Sequence, residues 1–134
     1  MASRYPLIVD SSAGQIKEIA ASDHVVFDSA AGSITALTDA ATISINFASS
    51  NNFSVTLGGN RTLGNPSNVV AGQSGFIAVT QDGTGSRTLS YSSNWDFAQG
   101  SAPTLTTTAG AIDVIAYYAR TTTSIVADVI LNIS

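Results

Sequence analysis

The chain has 134 residues, enough for one ordinary domain that buries its own core without metals or disulfides. It contains no cysteine, which excludes thiol nucleophiles, thiolate zinc sites and iron–sulfur ligation. Only 10% of its residues are charged, against roughly 25% in a typical soluble domain, and its five basic residues lie scattered (Arg4, Lys17, Arg61, Arg87, Arg120). Nucleic acid as a partner needs clustered cations to neutralise phosphates, so none is expected. No apolar run approaches the roughly 20 residues that span a bilayer. The stretch from Met1 to Asp10 is too short in apolar residues for a secretory signal, so synthesis and assembly in a cytoplasm are expected. A net charge of −4 with so few charges predicts a surface that becomes covered by neighbours.

From the N-terminus, Tyr5, Leu7 and Val9 alternate around Pro6, which has no N–H for a ladder and belongs at an edge or a strand start. Short pieces follow at Gln15–Ile19, His24–Phe27 and Ile34–Leu37, between Ser, Ala, Gly and Asp breakers. Residues 1–40 are therefore predicted as an extended N-terminal arm and irregular lead-in, and residues 41–134 as the β body. Ile43, Ile45 and Phe47 alternate with polar residues, and so do Phe53, Val55 and Leu57 beyond Ser49-Ser50-Asn51-Asn52, which predicts a hairpin. Phe76–Thr80 and Arg87–Tyr91 are expected as a second hairpin around Asp82-Gly83-Thr84-Gly85. Between Ser92 and Ser101, Trp95 and Phe97 are expected to fold back as an apolar plug.

Two long strands, Ala111–Ala119 and Ser124–Ile133, close the chain. Ile125, Ala127, Val129, Leu131 and Ile133 share one face, while Val126 and Ile130 lie on the other beside Asp128. A strand covered on one side should alternate more cleanly, so the second face is expected to meet another layer or another subunit. Tyr118, Val126 and Ile130 are the candidate subunit contacts. The whole reads as an all-β single domain, an antiparallel β-sandwich or jelly roll. Asn60-Arg61-Thr62-Leu63-Gly64 and Ser86-Arg87-Thr88-Leu89-Ser90 form a weak internal echo.

Chemistry-bearing residues are sparse. The one histidine, His24, lacks partners for a triad or a two-histidine metal site. Asp96 and Asp113 are the tempting carboxylate pair for glycoside hydrolysis, near Trp95 and Tyr117, but each is better read as satisfying local backbone. Asp82–Ser86 lacks the Gly-Lys-Ser/Thr ending of a phosphate loop and the terminal Glu of a calcium loop. The sequon matches at Asn52, Asn60 and Asn132 are what an Asn-, Ser- and Thr-rich chain produces by chance. No catalytic, cofactor-binding or metal residues are expected. Trp95 and Tyr91 are the candidates for carbohydrate contact, since aromatic faces stack on sugars, with core packing as the alternative role.

Gly59–Pro66, Gly72–Ile77, Gln81–Leu89 and Ala111–Ile115 follow one another in order. Together they resemble a β module found in small virion proteins and at the ends of tail-fibre proteins of tailed phages. Arg4–Val9 and Gly14–Ile19 are similar to N-terminal segments of phage structural proteins. The resemblance implies a virion component, usually a homotrimer, that is not an enzyme. The short lead-in and single body suit a head decoration, or cement, protein on the outer capsid surface that bridges copies of the major capsid protein. A trimer would multiply modest contacts, with Tyr5, Leu7 and Val9 as anchors of a capsid-binding arm. The alternative is a fibre tip or receptor-binding module that contacts host surface polysaccharide. No membrane partner is expected.

Overall fold

A computed structural model describes the strand backbones at residues 7–10 and 15–18, and residues 31–133. β1 (Leu7–Asp10) and β2 (Gln15–Glu18) pair antiparallel, with Leu7 opposite Glu18 and Asp10 opposite Gln15. They lie within a first compact unit, residues 1–31. Of the proposed arm anchors, Leu7 and Val9 thus lie in β1, and Tyr5 lies outside the described residues, as does His24.

The second unit begins at Gly32 and carries the β body. Its first strand, β3 (Ile34–Ala36), precedes the boundary expected at residue 41. It falls within the short piece Ile34–Leu37 read from the sequence. Then follow β4 (Thr42–Ile43), β5 (Asn52–Leu57), β6 (Arg61–Leu63), β7 (Ser74–Gln81), β8 (Leu89–Tyr91), β9 (Trp95–Asp96), β10 (Ile112–Thr121) and β11 (Ser124–Ile130). They form two sheets: six strands ordered β3-β5-β7-β10-β11-β9, and three ordered β4-β6-β8.

The all-β class is as expected, but the strand pairing is not that of an antiparallel sandwich. β3, β5 and β7 run parallel, and so do β4, β6 and β8. From β3 to β8 the chain alternates between the two sheets, so successive turns of a coil stack strand on strand. Parallel neighbours need a crossover, and here each crossover is a strand of the other sheet rather than a helix. The expected hairpin between Ile43–Phe47 and Phe53–Leu57 is therefore a corner. Ser49 N–H donates to the Asn46 carbonyl there (3.1 Å), and β5 pairs with β3 and β7 instead. Alternation dictates which side chains point inward but does not select the partner strand.

Asp82–Gly85 is likewise a corner and not a hairpin loop. The Asp82 carboxylate accepts from the N–H groups of Thr84 (3.0 Å) and Gly85 (2.9 Å), and Gly85 takes a left-handed φ of 72°. The same residue chemistry serves a hairpin and a change of sheet. The internal echo maps onto adjacent turns of the coil, displaced by two residues: Arg61 faces Leu89 and Thr62 faces Ser90, whose hydroxyls lie 2.8 Å apart.

Two long closing strands form as expected, as β10 and β11, and the structure pairs β10 antiparallel with β7 on one side and with β11 on the other. Inward rows cross the large sheet, such as Phe53–Ile77–Ile115–Val129, and meet Ile43 and Leu63 from the small one. Phe47 stacks on Tyr117 with ring centroids 4.6 Å apart, and Trp95 meets both rings edge-on at 6.4 Å. Burial pushes the Tyr117 phenol up to about 12, and its hydroxyl donates to the Asn51 carbonyl (2.8 Å), pinning the β5 entry to β10.

Candidate functional site

The outer face of the six-stranded sheet is apolar where solvent would favour polar groups. Phe76, Tyr118, Val126 and Ile130 are between 46% and 54% exposed, and Ala78, Val114 and Ala116 lie between them. The register makes this one continuous surface: Phe76 faces Ala116, Ala78 faces Val114, Val114 faces Ile130, and Tyr118 faces Val126. Asp128, opposite Ala116, lies within this surface between Val126 and Ile130, and Asp96, opposite Val126, lies on the edge strand β9. The structure therefore brings together the three contacts expected from sequence, Tyr118, Val126 and Ile130. It adds Phe76, which alternation alone leaves ambiguous at the start of its strand.

A second feature is a cleft of about 440 Å³ between β8 with its approach (Arg87–Tyr91) and the segment 97–107. Tyr91, Trp95, Phe97, Pro103 and Leu105 give it an apolar interior, and Arg87, Thr88, Ser90 and Thr104 give it polar groups. It shares no residue with the outer sheet face. Both walls are held. Ser86 N–H donates to the Thr107 carbonyl at 2.7 Å, tying wall to wall. Gln81, 3% exposed, brackets the Arg87 backbone: its Nε2 donates to the Arg87 carbonyl (2.9 Å) and its Oε1 accepts from the Arg87 N–H (2.8 Å). The Arg87 guanidinium donates through Nε and Nη2 to Asp82 (3.1 and 2.8 Å) and, with the backbone bonds, holds the Asp82 carboxyl down at about 2.

Trp95, expected as a carbohydrate platform, is only 6% exposed; its Nε1 donates to the Gly64 carbonyl at 2.9 Å, and its ring belongs to the aromatic core. Tyr91 meets Phe97 edge-on with centroids 4.5 Å apart. Its hydroxyl is buried without a hydrogen-bond partner among the described residues. Burial, and secondarily the charge of Asp113, pushes this phenol above its ordinary range.

Asp96 and Asp113 lie on opposite faces of the six-stranded sheet. Asp96 points outward and accepts from the Ser124 hydroxyl. Asp113 points inward, 2% exposed, and accepts from the N–H groups of Thr106 (2.7 Å) and Asn132 (2.8 Å). Two carboxylates so disposed cannot flank one glycosidic bond. Their work is local: Asp113 fastens the 97–107 wall and the C-terminal end to the sheet.

Residues 37–120 match the protein family described as "Putative phage tail fibre C-terminal domain". The chain belongs to this family. The match begins just after β3 and runs through most of β10, and so includes the coil from β4 onward, the cleft and Tyr118. No curated protein and no solved structure matches the chain. The fibre domain is thus a phage virion structural protein. Sequence reasoning missed Gln81, Arg87 and Phe97 as a group, because the chain brings them together only by leaving one sheet for the other.

Proposed function

We propose that this fibre domain is the distal end of a phage fibre, a non-enzymatic module that assembles as a homotrimer and contacts host surface polysaccharide. The observation that carries the reading is the family match over residues 37–120, which hold the coil from β4 onward. The match concerns fibre ends, and it favours the fibre over the capsid surface. The occupant we assign to the outer face of the six-stranded sheet is another copy of the same chain. Large exposed apolar patches on soluble proteins mark interaction sites. The one carboxylate within this face, Asp128, accepts from the Val129 N–H, and the face offers no cation in its centre to select a charged partner. Three identical faces around an axis exclude one another's apolar surface from water.

The test is antibody labelling of intact virions viewed by electron microscopy. Label at the fibre ends is the expected result. Label on the head would overturn the reading in favour of a capsid decoration protein bound to the major capsid protein.

A further inference from the structure

We infer that the cleft between β8 and the 97–107 segment is a saccharide-binding subsite, taking a neutral sugar ring against Tyr91 and Phe97 with Arg87 and Thr104 at its polar edge. The inference rests on the fibre reading and gives that reading a place on the surface.

The cleft is built rather than incidental. Gln81, nearly fully buried, spends both ends of its amide on the Arg87 backbone, and Asp82 fixes the guanidinium. Two non-glycine residues flanking the cleft, Ser86 and Gln99, hold left-handed φ angles of 59° and 58°. Such conformations persist where the surroundings over-determine them, and they gather at ligand sites. The volume of about 440 Å³ lies in the range of small-molecule sites, roughly 300–1,000 Å³.

Its chemistry selects the ligand. A pyranose ring presents apolar C–H faces and a girdle of hydroxyls. The cleft offers Phe97, Pro103 and Leu105 to the first, and the Thr104 hydroxyl and Arg87 to the second. The Arg87 Nη1 makes no hydrogen bond to the described residues, since Asp82 takes Nε and Nη2. A phosphate or a highly anionic sugar needs uncompensated positive charge, and the one cation here is already neutralised by Asp82. A wholly apolar ligand would strand these polar groups.

The single tryptophan supplies the readout, because Trp95 lines the cleft. The full chain is titrated with neutral hexose and N-acetylhexosamine trisaccharides, and with sialylated and sulfated counterparts, while Trp fluorescence is followed. A saturable change with neutral trisaccharides is expected. Phe97→Ala should weaken it about tenfold, the loss that accompanies one aromatic contact. Thr104→Phe, which fills the cleft, adds no second tryptophan and removes no core group, should abolish it, and Ser44→Ala should leave it unchanged. Response to no probe, or to the anionic probes alone, would overturn the proposal. So would saccharide binding that both cleft variants retain, although that result would leave the fibre reading intact. Failure of the fibre reading itself is seen separately, as antibody label on the head.

Discussion

Asp113→Ala should unseat the loop wall of the cleft. The carboxylate is 2% exposed and accepts two backbone N–H groups, from Thr106 at 2.7 Å and Asn132 at 2.8 Å. Hydrogen bonds to a charged group contribute about 1.5–3 kcal/mol each, and removing the acceptor strands the Thr106 N–H in a part-buried site. Two such bonds give about 3–6 kcal/mol, and water reaching the loop and the chain end returns some of it. A loss of about 3 kcal/mol is expected, a large share of the 5–15 kcal/mol typical of a domain. At roughly 4 °C per kcal/mol for a body of this size, Tm should fall by about 12 °C. Asp113→Asn keeps one acceptor oxygen and should fall about half as far. Thermal melts followed by circular dichroism read the shift, and hydrogen exchange at the Thr106 amide reads its cause. A fall of less than about 3 °C with Thr106 still protected would refute the reasoning.

The other expectations can be checked separately. Val126→Asp or Tyr118→Asp places a carboxylate in the apolar outer face, and light scattering should show monomer in place of the proposed trimer, with the β spectrum retained. Asp82 has a folded-state value of about 2 against an ordinary 3.8, so its contribution to stability is complete above 3.8 and is lost as pH falls from there towards 2. Asp82→Asn should therefore lower Tm at neutral pH and flatten the acid limb of a melting series relative to the wild type. A Cβ at Gly75 would overlap the Asn51 carbonyl and press on the Tyr117 hydroxyl. Gly75→Ala should therefore cost about 3 kcal/mol, read as a lower urea midpoint.

What the sequence alone determined about this protein is the inward set. Alternation at Ile43–Phe47, Phe53–Leu57 and Ile125–Val129 names the core residues, because successive side chains on a strand face opposite ways. It also exposed the second apolar face, since Val126 and Ile130 break the polar side of a strand that needs only one covered surface. Only the tertiary structure decided which strand lies beside which. A turn sequence such as Asp82–Gly85 permits the left-handed angles of a hairpin and those of a corner equally. The choice between antiparallel pairing and a parallel coil is made by contacts between residues 18 or more apart, such as Ile34 with Asn52 and Arg61 with Leu89. The cleft follows from that choice. Gln81 and Phe97 belong to one site because β7 hands the chain to the other sheet, a placement that no local pattern encodes.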